Sequence, residues 1–455
     1  MKQKKEIESF YSCKNTMAEF HIQWWKPLYW CVRLSGAKNA SYKLMIASLM
    51  WNETTRLINI PHIDDVHNVK EIIKHLGAHT QDVWAKTTSI DPRWLSRREI
   101  PFEYGEKSRS STIFLWVLLH KFWKAIVPLP GWDKIGNRNL DRHFDWLESM
   151  WVTRELKDNM LHMQTDGLVW TTYRFAKNTH TGTETLIIAA VCATWKTILE
   201  NAAEEPEIDD LIMLLNKMWA RIRRRAFRTI EIDWVVSLWG AIHSVIPDRN
   251  EAVTYACATL LTKWDVILEN ARHQDLTIFL EKIDEAWWWY EVDDYGVRFF
   301  WKWPLRATDI TTKIHPWFMT DWQALRAVLM CSAHGTSTIH ETIFSNRFSQ
   351  YVDVLTSMWA TFDLFNPHVE DPQRFYNFDR ESRDKENKHA IHIQWPTAFS
   401  WWEFFVNDLR AWATTMLAAM SAPWKSVLHN VWLIDRWYEK IDKKLQKLGA
   451  DIRRI

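Results

Sequence analysis

Residues 34–81 read LSGAKNASYKLMIASLMWNETTRLINIPHIDDVHNVKEIIKHLGAHTQ, and the plan of the whole chain is contained in them. An apolar run from Ala40 has helical character and turns at Trp51, TRLINI is a short β-type run, and a second helix ends at Gly77. In that second helix Val66, Val69, Ile72, Ile73 and Leu76 fall on one face at helical spacing, behind Asp64 and Asp65 as candidate caps.

The same plan recurs five more times, with a period of about 70 residues. The turn after the first helix falls at Trp51, Trp123, Trp195, Trp264, Gly335 and Trp424; the stop after the second falls at Gly77, Trp151, Trp219, Trp287, Trp359 and Gly449. Between the helices lie the short β-branched runs KAIVPLP, KTILENA, DVILENA, STIHETI and KSVLHNV. Helices alternating with strands define an α/β protein, and a purely helical solenoid would leave those runs unexplained. A break near Val245 to Pro247 separates three units from three.

The repeats also compare glycine with tryptophan internally. KHLGAHT and QKLGADI end two helices with Leu-Gly-Ala, whereas NKMWARI and TSMWATF end two others with Met-Trp-Ala. Helices commonly fill that slot with glycine, because the residue past the C-cap takes a left-handed conformation. The chain has 11 glycines and 32 tryptophans, whereas ordinary usage predicts roughly 32 glycines in this length. Tryptophan therefore stands in slots whose backbone calls for glycine.

Composition excludes several classes. At 455 residues the chain has room for two or more cores. Its 57 Lys+Arg against 56 Asp+Glu give a net charge of +1, which argues against a nucleic-acid or anionic-membrane partner. Apolar runs such as Leu186 to Val191 are far shorter than the ~20 residues of a membrane helix, and MKQKKEIESF lacks a signal-peptide core, so a cytoplasmic protein is expected. Five scattered cysteines without a C-x-x-C pair predict buried free thiols and no zinc site.

Eight motifs carry a resemblance. SGAKNA (35–40), PLPGWDKIGNRNLDRH (128–143), ENAAEEPEI (200–208), IPDRNEAVTY (246–255), HPWFMTDWQA (315–324), ETIFSNRF (341–348), NDLRAWA (407–413) and LIDRWYEKIDKKLQKLGADI (433–452) resemble, in order, the enolpyruvyl transferases of cell-wall synthesis. The resemblance runs from about Phe20 to the C-terminus, leaving a short N-terminal extension. It implies a two-lobed inside-out α/β barrel of six βαβαββ repeats, three per lobe. Residues 1–37 would hold the extension and the first segment of the C-terminal lobe, 38–247 the N-terminal lobe, and 248–455 the rest of the C-terminal lobe.

The reaction implied is transfer of enolpyruvyl from phosphoenolpyruvate to the 3'-hydroxyl of UDP-N-acetylglucosamine with release of phosphate, by a monomer using neither metal nor cofactor. A sibling enzyme acting on shikimate 3-phosphate shares the fold, and an inactive paralogue serving as a binding or regulatory protein is the alternative from another class. Addition followed by elimination needs a proton donor, a base and cations around a charged substrate. The resemblance places Lys38, Asn39, Arg138, Arg410 and Arg436 on phosphoenolpyruvate, with Arg347 in support, and guanidinium forks suit its phosphate and carboxylate. It places Arg109, Arg138, Asn139, Leu140, Asp141, Arg142, Asp321 and Ile343 around the UDP-sugar. Asn178 to Thr181 match a nucleotide-contacting segment, with His180 where serine is common; the alternative reading of His180 is an exposed loop histidine. Asp321 matches the general base, although Thr320-Asp321 also reads as a helix cap. Asp133 stands where most of the family has a cysteine that donates the proton and reacts with fosfomycin; a minority carries aspartate there. To donate near neutral pH it needs its pKa raised above ~3.9.

Departures from the family are systematic. Trp24, Trp25, Trp30, Trp116, Trp123, Trp132, Trp146, Trp195, Trp219, Trp317, Trp359, Trp412 and Trp437 occupy family glycine positions. One codon would explain them together, UGA read as glycine in the source organism and as tryptophan in the conceptual translation; the rival reading is a chain real as written, a decoy or a decayed enzyme. Trp322 and Trp432 sit where an aromatic residue is unremarkable. Val117, Asn139 and Met319 for proline, and Val253 for glycine, are ordinary divergence.

Overall fold

The structure is a computed structural model and describes residues 18–23, 29–84, 86–107, 109–129, 149–169, 171–302, 304–378, 386–394, 396–401, 403–406 and 409–455. The chain divides into two compact units, one comprising Asp248–Ile455 with the N-terminal segment to Leu34, the other Ser35–Pro247.

Each unit contains three small sheets among the described residues. The clearest joins Tyr29–Arg33, Asp265–Glu269, Gly296–Phe300 and Trp289–Asp293. Its first pair is parallel, with Val32 opposite Leu268, and its other two pairings are antiparallel. The same parallel-then-antiparallel order recurs for Ile310–Thr311, Ser337–His340, Ala390–Ile393 and Phe362–Phe365. It recurs again for Thr172–Arg174, Lys196–Glu200, Thr229–Asp233 and Arg221–Ala226. Alternation fixes the register: in Asp265–Glu269, Val266 and Leu268 are fully buried, so a slip of one residue would turn both outward.

Two kinds of helix serve these sheets. Second helices such as Asp64–His75 are amphipathic, with Val66, Val69, Ile72 and Ile73 inward. First helices are buried nearly all round: every residue of Arg249–Leu261 and of Gln323–Met330 is buried, as are residues 182–190 of His180–Ala190. Helices inside and sheets outside is the inside-out α/β arrangement. Polar residues survive in these cores by returning their hydroxyls to the preceding turn: Thr254 to Asn250 O (2.9 Å), Thr259 to Tyr255 O (2.8 Å), Ser41 to Ala37 O (2.8 Å) and Thr415 to Ala411 O (2.7 Å).

The second helices end in superposable turns. After Asp64–His75, the Gly77 N–H donates to Lys74 O (3.0 Å) and the Ala78 N–H to Ile73 O (3.1 Å), the paired bonds of a Schellman cap. The same pair closes on Trp219 and Ala220, Trp287 and Trp288, Trp359 and Ala360, and Gly449 and Ala450. The residue at the slot is left-handed each time: φ is 100° at Gly77, 76° at Trp219, 62° at Trp287, 77° at Trp359 and 105° at Gly449. Trp30, Trp123, Trp151, Trp195 and Trp424 also have positive φ, between 61° and 89°. A left-handed non-glycine residue costs about 1–2 kcal/mol, so the eight tryptophans together cost as much as the ~5–15 kcal/mol by which a whole domain is stable.

At the turns after the first helices the left-handed residue is Trp123, Trp195, Gly335 and Trp424 in four repeats, and Lys263 (φ 60°) in the fourth repeat, while Trp51 does not take that conformation. Two expectations are corrected. Cys31 is exposed, because its side chain lies on the outer face of its strand; Cys257 and Cys331 are buried thiols, and Cys13 lies outside the described residues. Asp64 and Asp65 lie in the first turn of their helix rather than capping it, the N-cap being Ile63.

Candidate active site

In the unit containing residues 248–455, the chemistry gathers where the turn Thr320–Trp322 meets the loop after strand Ser337–His340. Asp321 does not occupy the N-cap of helix Gln323–Met330, which is Trp322. Its carboxylate instead accepts from Arg347 Nη2 (2.8 Å), and the same nitrogen donates to Thr320 O (3.0 Å). Arg347 is 1% exposed, so this is a buried guanidinium holding a partly exposed carboxylate. Arg347 therefore grips Asp321, and its guanidinium also lies over the Phe344 ring, 5.5 Å from the centroid.

Glu341 binds the two segments together. One oxygen accepts from the backbone N–H groups of Ile343 (2.7 Å) and Phe344 (2.9 Å); the other accepts from the Thr320 hydroxyl (2.9 Å) and the Gln323 amide (2.7 Å). Burial raises its pKa, and Arg347 with the two backbone donors opposes the rise only in part. Ile343, the residue matched to the UDP-sugar, is thereby tied to the turn that bears Asp321. Trp322 fills the core behind, its Nε1 donating to Asn250 Oδ1 (2.9 Å). Tyr438 donates to or accepts from Thr254 (2.8 Å), and its pKa is raised by burial first and by the charges of Asp248, Glu251 and Asp321 among others. Arg436, half-buried, lies two residues before it, at the end of the short helix Trp432–Asp435.

In the unit Ser35–Pro247, Lys38 begins helix Lys38–Ala47, whose N-cap Ala37 supplies no side-chain acceptor. The positive end of a helix dipole favours an anion. Lys38 is not a surface lysine: it is buried, and its Nζ lies 2.8 Å from Asp65 Oδ2. Asn39 follows it, half-buried. His180 is not a loop residue either. It opens helix His180–Ala190, N-capped by Thr179, and its Nε2 lies 3.2 Å from Glu184, which also pairs with Lys43 at 2.5 Å. Burial is the largest effect on the His180 pKa and pulls it down, but the charges of Glu184 and Glu205 and the Glu184 hydrogen bond together outweigh it, and the net shift is upward. Asn178 donates to Asn201 O (3.0 Å).

Asp133, Arg138, Asn139, Leu140, Asp141 and Arg142 lie outside the described residues, as do the side chains of Arg109 and Arg410. The backbone of Arg109 opens a 3-10 turn, Arg109–Ile113, and that of Arg410 lies in helix Leu409–Ser421. Among the described residues no group of three His, Cys, Asp or Glu side chains could hold a metal, and no helix is long and apolar enough to cross a membrane.

Glu341 and Asp65 were given no functional role by sequence. Glu341 had a signal: a glutamate followed two and three residues later by the N–H groups of a turn is placed to cap them. Asp65 had none, since its position points to its own helix and not to Lys38.

Against known proteins, residues 23–366 match the family EPSP synthase (3-phosphoshikimate 1-carboxyvinyltransferase). The chain is 35% identical over 437 residues to the UDP-N-acetylglucosamine 1-carboxyvinyltransferase of Coxiella burnetii, covering 94% of each. It is 36% identical over 445 residues to the protein of the same name from Bartonella henselae, covering 94% of this chain and 97% of that one. Among solved structures, the enolpyruvyl transferase NikO from Streptomyces tendae superposes with a TM-score of 0.83 at 21% identity, covering 96% of this chain and 98% of that one. EPSP synthase from Acinetobacter baumannii does so with 0.72 at 13% identity, covering 96% and 100%. These structures share the fold. The repeats, the buried first helices and the full-length likeness agree, and the chain belongs to the EPSP synthase family of enolpyruvyl transferases.

Proposed function

We propose that this chain transfers the enolpyruvyl group of phosphoenolpyruvate to the 3'-hydroxyl of UDP-N-acetylglucosamine, the first committed step toward peptidoglycan, as a cytoplasmic monomer. The observation that carries the reading is identity of 34–36% across 94–100% of relatives bearing that activity in their name. Asp321, held by Arg347, takes the proton of the sugar hydroxyl as its oxygen bonds to C2 of phosphoenolpyruvate. Asp133 delivers a proton to the C3 methylene, forming a tetrahedral adduct. Loss of a C3 proton and cleavage of the C2–O bond then release phosphate and restore the double bond. Lys38, Asn39, Arg138, Arg410 and Arg436 are assigned to phosphoenolpyruvate, and Arg109, Asn139 to Arg142 and Ile343 to the nucleotide sugar. Lys38, set in its helix start by Asp65, suits an anion there.

Incubation of the protein, made from a gene with glycine restored at the family glycine positions now occupied by tryptophan, with both substrates should yield UDP-N-acetylglucosamine bearing a 3'-enolpyruvyl ether, read by mass spectrometry. Its absence with active relatives run in parallel would sink the reading. Fosfomycin should leave turnover intact, since residue 133 offers a carboxylate and no thiolate. Time-dependent, irreversible inactivation would contradict the assignment of Asp133.

A further inference from the structure

We propose that Glu341 is a positioning residue for the transfer, an assignment that rests on the function proposed above. Its carboxylate, 1% exposed, is the meeting point of four donors from two segments. Thr320 and Gln323 bracket the base Asp321, and Ile343 belongs to the UDP-sugar contact. Tyr351 locks the arrangement from the far side, its hydroxyl donating to Gln323 Oε1 (3.2 Å). One buried carboxylate thus sets the spacing between base and sugar contact. Glutamine at 341 keeps the shape but replaces one acceptor oxygen with an NH2 group. Whichever way that amide turns, its NH2 faces donors, either the two backbone N–H groups or Thr320 and Gln323.

Steady-state kinetics test this. Glu341→Gln should lower kcat by about 10²-fold, the usual cost of a displacement near 1 Å. It should raise KM for UDP-N-acetylglucosamine and leave KM for phosphoenolpyruvate within about twofold. The double variant Glu341→Gln/Gln323→Glu returns a carboxylate opposite an amide and should recover most of kcat, which a merely structural role would not do. Should Glu341→Gln fail to fold, Thr320→Val removes one donor only and should still lower kcat by about tenfold. An active unaltered protein whose variants keep its kcat and both KM values overturns the proposal alone. An unaltered protein that forms no enolpyruvyl product overturns the functional reading and this proposal with it.

A different observation carries a second inference: we infer that the eight tryptophans at positive φ are glycines in the protein made by its own cell, UGA being decoded there as glycine. Their indoles are 52–72% exposed, so packing does not offset the left-handed backbone. Three share a Schellman cap, bond for bond, with Gly77 and Gly449. Trp322 is their opposite, with ordinary negative φ, 1% exposure and a bonded Nε1. Mass spectrometry of the protein isolated from its source should give a glycine residue mass at 151 and a tryptophan residue mass at 322. Tryptophan at 151 overturns the inference, as does glycine at 322.

Discussion

Arg347 and Asp321 show how one buried guanidinium holds the carboxylate proposed as the base. Arg347→Lys keeps the charge but cannot place donors on both Thr320 O and Asp321 from one planar group, so kcat should fall by roughly 10–10²-fold while the melting temperature shifts little. Kinetics and calorimetry on the same preparation check this; unchanged kcat would remove Arg347 from the account. The candidate base was legible in TDWQ, because the family motif and the helix start coincide there. Its partner was not, because Arg347 lies 26 residues further on and meets Asp321 only through the folding of the loop after strand Ser337–His340. Lys38 was legible as a helix-start cation, but not as a buried one, because Asp65 read as a candidate cap of its own helix.

At the scale of the element, the helix stops carry the lesson. The Leu-Gly-Ala and Met-Trp-Ala slots were visible as equivalents from sequence, and their left-handed backbone follows from the cap geometry. Trp359→Gly should therefore raise the melting temperature by about 2–4 °C, the shift expected for relief of about 1 kcal/mol in a unit of this size. Gly77→Ala should lower it by at least as much, because an added Cβ would lie 2.6 Å from Trp94 O besides keeping φ at +100°. Thermal unfolding decides both, and a stabilising Gly77→Ala would refute the cap argument. In the fourth repeat the left-handed residue is Lys263, one position before the turn read at Trp264; spacing alone does not resolve a single-residue offset.

For the whole molecule, the repeat period made three α/β modules on each side of the break near residue 247 legible. The burial of the first helices on all sides was not, since Thr and Ser in them read as polar faces until their hydroxyls are seen bonded to the preceding turn. Each unit also holds a histidine with a pKa near 4. His120 is lowered to about 4 by burial and then by Lys121, and His340 to about 4 by burial and then by Lys313. Their ordinary value is ~6.5, so the unfolded chain binds more protons between these values. The stability they contribute is complete above about pH 6.5 and is lost as pH falls toward 4. His340→Phe, stacking on Phe375 in place of the imidazole, should make the fall in melting temperature over that window shallower. An identical slope would refute it.

The central claim is the acceptor. Phosphate release from phosphoenolpyruvate, measured with the purified protein, should depend on UDP-N-acetylglucosamine, saturate with it and be absent with shikimate 3-phosphate. Release that responds to shikimate 3-phosphate, or to neither acceptor, would contradict the account.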